Sequence, residues 1–456
     1  MISDPTTKSE KASVDSTDSR RKSDSSSSGR LPRVHPATRL ANRLKVFAVP
    51  ARVLGHFLVA PFRRILVPRI RDTWHPNFET MVTIMRSILL DTPEDVEVAR
   101  MLADRTVPGI MLPRGVHRFK ERIVTTDSAR IKCEWLWPRT RTPSIHPRRL
   151  ANVLPPSFSE VLTARPVVLF IHGGGFSMCN TGSHRALLAQ LALYCDTAVY
   201  APNYRRAPEH AIEESVADVL ACVKRLESEY AVSPDRIVIA GDSAGGNLAY
   251  LTLLEMKRLK WTLPKCAVLL CPWMDLTDPG DQENALFDYL PLSRIAYFAR
   301  LGAGDYPTND PRVSPIFADL TGMPPTLVHA GECEVLLSSI KRFSDVAMRQ
   351  GVRVDFKVWR DMIHVFHTFA FSHETARAAI DDIRAFIDAQ FGIGRMEMVD
   401  RTTEVLTTSE LRAEEHPSIV HAVKASIVVE NVEYSPDVSE DDEPDEAYSD
   451  EDNGVK

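Results

Sequence analysis

Residues Arg236–Leu254 read RIVIAGDSAGGNLAYLTLL. Ile237, Val238 and Ile239 are consecutive, apolar and β-branched, the composition of a short strand buried on both faces. From Asn247 onward, Leu248, Tyr250, Leu251, Leu253 and Leu254 fit an apolar helical stripe. Ser243 therefore sits on the turn between a strand and a helix. Gly241-Asp242-Ser243-Ala244-Gly245 follows the G-x-S-x-G order, in which a strained turn pushes the serine hydroxyl outward. A Cβ at either flanking glycine would collide with the neighbouring strand or helix. An ordinary Gly-rich strand-to-helix turn has the same composition, so the pentapeptide alone leaves both readings open.

The surroundings narrow the choice. From Pro166 the chain alternates apolar strands, PVVLFIH, TAVYAPNY, RIVIAGDS, CAVLLCPW, PTLVHAG and VDFKVW, with helical stretches. In ESVADVLACVKRLESEY, for example, Val216, Val219, Leu220, Val223 and Leu226 recur at helical spacing. Strands buried on both faces and joined by helices predict an α/β fold with a mostly parallel sheet. In such sheets the reacting groups gather beyond the carboxyl ends of the strands. The partners of Ser243 should thus follow later strands.

Two candidates do. After PTLVHAG come Glu332 and Glu334, and after VDFKVW comes His364 in RDMIHVFHTF. The order serine, acid, histidine suits a triad in which His364 takes the Ser243 proton and returns it to the leaving group. Glu334 would hold the imidazole in the right tautomer and stabilise its charged form. Should Glu334 not serve, Glu332 is the next candidate and Asp361 follows. Upstream, His172-Gly173-Gly174-Gly175 ends the first buried strand, where a Gly-rich loop can turn backbone N–H groups toward a developing oxyanion. The N–H of Ala244 is the expected further donor. His172 supports the loop without proton transfer, Asp275 caps a turn, Glu209 anchors a loop and His367 is a packing neighbour. No histidine pair has H-E-x-x-H spacing, so no metal is expected.

The set HGGGF, NYRRAPE, GDSAGGN, CPWMDLT, PPTLVHAGECEVL and MIHVF resembles the hormone-sensitive lipase-like, HGGG-loop branch of the α/β-hydrolases, which are serine carboxylesterases and lipases. The resemblance covers about residues 166–391. It implies an α/β-hydrolase fold, a mostly parallel central sheet flanked by helices, with an N-terminal helical cap or lid near residues 74–104. It also implies Ser243 as nucleophile, His364 as base and Glu334 as acid. Gly174, Gly175 and Ala244 become oxyanion donors, and Gly173 shapes the loop. Two positions depart from the family pattern. Glu334 stands where Asp is usual and is followed by Ser338 and Ser339 rather than a second acid. Arg206 replaces an apolar residue in YRRAPE.

The expected activity is cofactor-free hydrolysis of short-acyl or lipid-derived esters through an acyl-serine. The acyl group should be uncharged, since no Lys or Arg lies in the nucleophile or oxyanion motifs. A non-catalytic small-molecule receptor on the same fold is the alternative, although receptors of this resemblance lack the catalytic histidine. An interaction protein working through its tails is the other.

The 456 residues, 44% hydrophobic and 25% charged, are globular in composition. The net charge of −6 suggests no nucleic-acid partner. Seven scattered cysteines without a C-x-x-C pair suit a reducing compartment and argue against zinc. Residues 1–30 hold ten serines and no apolar core, which predicts a disordered tail with no secretory signal; RRKS at 20–23 is a candidate kinase site. Residues 31–110 comprise a basic, apolar segment and the helical cap. From Arg30 to Arg71 there are ten Lys or Arg and no acid. The apolar run Val46–Phe62 is interrupted by Pro50, Arg52, Gly55 and His56, too broken for a spanning helix. The segment could lie on an anionic membrane surface or pack on the main domain. A cytoplasmic protein, with peripheral membrane contact through residues 31–71, is the corresponding expectation. In LDTPEDVEVARMLAD, Thr92 is the expected N-cap with Pro93 first in the helix and Asp95 in its first turn. RFKERIVTT and RIKCEWLWP, separated by Asp127 and Ser128, read as a hairpin, and residues 140–159 as a loop. Residues 111–391 form the expected catalytic domain. Residues 392–456 are an extension in which 418–432 is apolar enough to dock and 437–452 carries ten acids, an expected solvated tail.

Overall fold

In the computed structural model of the protein, the described residues are 55, 70–71, 73–91, 95–106, 115–125, 127–139, 156–393 and 405–406. The Ser-rich tail, the run 46–62 apart from Gly55, Thr92 and Pro93, residues 140–155 and the acidic extension all lie outside them.

Two helices come first, α1 (Pro76–Asp91) and α2 (Val96–Thr106). Asp95, expected in the first turn of this second helix, instead precedes it: α2 starts at Val96, and Asp95 Oδ1 accepts from the Val98 N–H at 3.4 Å, while the expected N-cap Thr92 and first helical residue Pro93 lie outside the described residues. An aspartate immediately before the first helical residue satisfies an otherwise orphan N–H, so Asp95 takes the capping position. The hairpin follows as β1 (Val116–Val124) and β2 (Arg130–Pro138), paired antiparallel around Asp127 and Ser128. Ser128 has φ +67°, the left-handed turn conformation. The expected loop 140–159 ends sooner, because α3 (Pro156–Ala164) begins at Pro156, whose fixed φ suits a helix start.

The strands β3 (Val167–Ile171), β4 (Ala198–Asn203), β5 (Ile237–Asp242), β6 (Cys266–Leu270), β7 (Thr326–Gly331) and β8 (Val354–Trp359) match the six apolar runs. Between them lie α4 (Thr181–Tyr194), α5 (Ile212–Tyr230), α6 (Ala244–Arg258), α7 (Leu292–Ala303) and α8 (Leu337–Arg349), and α9 (Glu374–Phe391) closes the series. The sheet order is β1-β2-β4-β3-β5-β6-β7-β8, with a two-residue strand (Val405–Leu406) antiparallel at the far edge. Every contact from β4 to β8 is parallel. Helices cover both faces, which is why β3, β5, β6 and β7 are buried at every residue and read as unbroken apolar runs. Under the antiparallel edge, Trp135 stacks on Tyr200 at 4.3 Å and meets Phe158 edge-on at 5.0 Å. Each such ring contributes about 1.5–3 kcal/mol by leaving water. All seven cysteines are free. Among the described residues no helix is long and apolar enough to cross a membrane.

Helix α1 and the residues just before it are fastened to the sheet domain at both ends. Trp74 Nε1 donates to the Asp361 carbonyl at 2.7 Å, and Phe78 meets Phe369 edge-on. Arg294 of α7 donates to the carbonyls of Leu89 and Leu90, which end α1 without intrahelical partners. Arg100 of α2 forks onto both oxygens of Glu209 at 2.9 and 2.6 Å and also donates to the carbonyls of Ser177 and Ala207.

Candidate active site

β3, β5, β6, β7 and β8 are successive neighbours, so their carboxyl ends lie side by side. The loops leaving β3, β5, β7 and β8 carry the glycine cluster, Ser243, Glu334 and His364.

Ser243 occupies φ +52°, ψ −124°, a conformation that costs a non-glycine residue about 1–3 kcal/mol. The turn is held because the Ser243 N–H donates to the Leu270 carbonyl, while its own carbonyl accepts from Gly246, Asn247 and Trp273. Its sharpness leaves no room beside it. A Cβ on Gly245 would stand 2.1 Å from the Ile171 carbonyl oxygen and 2.6 Å from that of His172. The steric reading of the flanking glycine thus has a specific physical cause in β3.

Ser243 Oγ lies 3.0 Å from His364 Nε2, and His364 Nδ1 lies 2.7 Å from Glu334 Oε2. The other carboxylate oxygen of Glu334 accepts the Gly331 N–H at 2.7 Å. All three side chains are buried. Burial works against a protonated His364, but the Glu334 hydrogen bond and charge, with Asp288 and Asp242 adding, outweigh it and raise the imidazole above its ordinary value. The loop that carries Glu334 and the loop that carries His364 pack backbone to backbone. Cys333 N–H donates to the Met362 carbonyl and Glu332 N–H to that of Trp359. The fallback acids are elsewhere engaged. Glu332 Oε2 accepts the Asp361 N–H at 2.9 Å. Asp361 takes Thr73 Oγ1 at 2.8 Å and lies 3.4 Å from Arg71.

The glycine loop is tied to the serine turn by Asp242, a residue the sequence reading passed over. Asp242 Oδ1 accepts the Gly173 N–H at 2.9 Å and Oδ2 faces His184 Nε2 at 3.2 Å. Gly173 N–H is therefore occupied, in keeping with a loop-shaping place. Gly174 sits at φ +116°, outside ordinary L-residue space. The N–H groups of Gly174 and Gly175 carry no hydrogen bond among the described residues, and that of Ala244 is first in its helix, where intrahelical partners are lacking. His172 is buried against Tyr204, with ring centroids 4.3 Å apart. Burial, followed by the His184 charge, drops its pKa well below the ordinary value, so it stays neutral and donates through Nδ1 to the Gly173 carbonyl.

The remaining single residues fall where their chemistry suggests. Asp275 Oδ1 accepts the Thr277 N–H, capping a turn, and Glu209 anchors α2. His367 Nε2 lies 3.1 Å from His329 Nδ1, a buried packing pair. Arg206 donates to the Cys179 carbonyl. Asp288 is a second residue the reading missed. It accepts the N–H groups of Val335 and His364. Its flanks in LFDYL are apolar, and that is the signal that could have marked it as buried. Two groups of potential metal donors occur among the described residues. Atoms of Cys271, Glu334 and His364 lie within 4.8 Å of one another, as do those of Glu332, Cys333 and Asp361. In the first, the carboxylate and imidazole bond each other, and burial pushes the Cys271 thiol far up, keeping it protonated. In the second, Asp361 faces Arg71.

The sequence pattern described as the alpha/beta hydrolase fold matches residues 168–368. An esterase of Acinetobacter venetianus is 36% identical over 256 residues, 55% of this chain and 84% of that one. An acetyl-hydrolase of Streptomyces hygroscopicus is 35% identical over 233 residues, 50% of this chain and 77% of that one. The crystal structure of an esterase from the bacterial hormone-sensitive lipase family superimposes with TM-score 0.60 at 28% identity, covering 71% of this chain and all of the other. The chain belongs to the α/β-hydrolase fold family. Within it, the protein is a carboxylic ester hydrolase of the hormone-sensitive lipase-like kind.

Proposed function

We propose that the protein cleaves esters of uncharged acids, short-acyl or lipid-derived, through an acyl-Ser243 intermediate. His364 Nε2 takes the Ser243 proton as Oγ attacks the ester carbonyl, and Nε2 then protonates the departing alkoxide. Water repeats the sequence in the second half: His364 accepts its proton, hydroxide attacks the acyl carbonyl, and Ser243 leaves with the proton returned. Glu334 holds Nδ1–H and offsets the imidazolium charge. The N–H groups of Gly174, Gly175 and Ala244 receive the oxyanion, and losing one such donor typically costs about 100- to 1000-fold in rate. The observation that carries this reading is the continuous hydrogen-bonded line Ser243–His364–Glu334, at 3.0 and 2.7 Å.

The acyl preference follows from the charges around the ring. Asp242, Asp288 and Glu334 all bear on His364, and three nearby carboxyl groups disfavour an anionic acyl chain. α1 and α2 are the cap in this reading, with Arg86, Arg100 and Arg294 fixing it over the site. A series of p-nitrophenyl esters from acetate to long acyl chains, with a succinate monoester as the charged member, tests the proposal. Neutral esters should turn over, the charged one should not, and Ser243→Ala and His364→Ala should abolish turnover. Equal turnover of the charged ester would overturn the acyl assignment, and an active Ser243→Ala would overturn the mechanism.

A further inference from the structure

We propose that Asp288 is a positioning residue for this reaction: its carboxylate clamps the backbones of the two loops that carry Glu334 and His364, and Arg86 of α1 fixes the clamp. The inference rests on the serine-hydrolase reading above. Asp288 Oδ2 accepts the Val335 N–H at 2.9 Å, immediately after the acid. Its Oδ1 accepts the N–H of His364 itself at 3.2 Å. One side chain thereby sets the distance between acid and base from below. The segment around it is stitched to the same loops, since Asn284 Nδ2 donates to the carbonyls of Glu332 and Glu334 at 3.0 Å each. From the other side, Arg86 Nη1 donates to the carbonyls of Ala285 and Asp288 at 2.5 and 2.7 Å.

Asp288 is fully buried, and among the described residues no lysine or arginine pairs with its carboxylate. A carboxylate so placed is costly unless its hydrogen bonds offset the lost hydration. A neutral side chain could anchor a loop at lower cost, so the charge itself calls for a use. It acts on the imidazole. Burial raises the Asp288 carboxyl to about 6, with His364 and the two N–H groups pulling it down and Glu334 pushing it up. The carboxylate is therefore ionised where His364 works as a base. The charged groups acting on that ring are Glu334 and Asp288, each on its own loop, and Asp242 at the end of β5.

Asp288→Asn removes the charge and keeps the size. Its kcat should fall about 10- to 100-fold, as misplacing reacting groups by a fraction of an ångström does. KM should stay within about twofold, because Asp288 is fully buried and its bonds go to main-chain N–H groups of the two loops. The acid limb of kcat/KM should move to lower pH, since a charge favouring the protonated ring is gone; a purely structural anchor would not move it. Asp288→Glu restores the charge at the wrong length and should keep the limb while kcat remains low. Should Asp288→Asn fail to fold, Arg86→Ala and Asp288→Glu decide, and both should lower kcat. A folded Asp288→Asn with kcat within about threefold of wild type and an unmoved limb would overturn the clamp. So would wild-type kcat in both other variants. Fluorophosphonate labelling of the wild type separates the two levels. A labelled Ser243 with a fully active Asp288→Asn sinks only the clamp, whereas an unlabelled Ser243 sinks the underlying reading.

Discussion

Replacing Glu334 by glutamine changes one atom's hydrogen-bonding character, and the structure says what must follow. Both carboxylate oxygens are acceptors: Oε1 takes the Gly331 N–H and Oε2 takes His364 Nδ1–H, each at 2.7 Å. An amide offers one acceptor and one donor. The Gly331 N–H is main chain and can only donate, so the amide oxygen must stay there and the NH2 must face His364. The imidazole can then satisfy the NH2 only by moving its proton from Nδ1 to Nε2. In that tautomer Nε2 has no lone pair for the Ser243 proton. The expected loss in kcat is about 10,000-fold near neutral pH, the scale seen when a triad carboxylate becomes an amide in serine proteases. KM should change little, because Glu334 is fully buried beneath His364. Glu334→Asp provides the contrast. It keeps the charge but cannot span both partners, so its loss should be intermediate. Steady-state hydrolysis of p-nitrophenyl acetate at saturating substrate reads both. A Glu334→Gln loss below about tenfold would refute the tautomer argument.

Other outcomes follow from the same geometry. Gly245→Ala places a methyl 2.1 Å from the Ile171 carbonyl oxygen and should cost about 1–3 kcal/mol or more in urea unfolding; wild-type stability would contradict the clash. Because His364 is raised above its ordinary value of 6.5, activity should rise with pH along an acid limb whose midpoint lies above 6.5. Its protonated form adds stability that is full below the unfolded pKa and fades through the same rise, so activity and this increment should move oppositely in pH-dependent unfolding. Arg100→Ala breaks the fork to Glu209 and should loosen α2, raising KM more than it lowers kcat for long-chain esters. Deleting residues 1–69 should abolish co-sedimentation with anionic vesicles if the basic segment holds the protein at a membrane, and equal sedimentation would dismiss that role.

Much of this was legible in the sequence because the strands of a covered parallel sheet are apolar along their whole length. β3, β5, β6 and β7 were legible for that reason, β4 and β8 by their apolar cores, and the loops after four of these strands carry Ser243, Glu334, His364 and the glycine cluster. The nearness of Glu334 to His364 was readable from the order of the strands, though the way it is held was not. That depends on the Gly331 N–H and on backbone bonds between two loops, which no side-chain pattern encodes. The place of Asp95 ahead of α2 was missed because the sequence offers a Thr-Pro start signal three residues earlier, which draws Asp95 into the first turn. Asp242 and Asp288 were missed for a deeper reason. Their work is done on main-chain N–H groups of distant loops, Gly173 in one case and Val335 and His364 in the other. Such partners leave no motif of their own: Asp242 occupies a variable position of G-x-S-x-G, and Asp288 shows only as an acid among apolar neighbours.

The most direct test of an activated serine is chemical. A fluorophosphonate should modify the wild-type protein rapidly and stoichiometrically, with peptide mapping placing the adduct on Ser243. His364→Ala should react slowly and Ser243→Ala not at all. Rapid labelling that persists in His364→Ala, or an adduct mapped to another residue, would contradict the account.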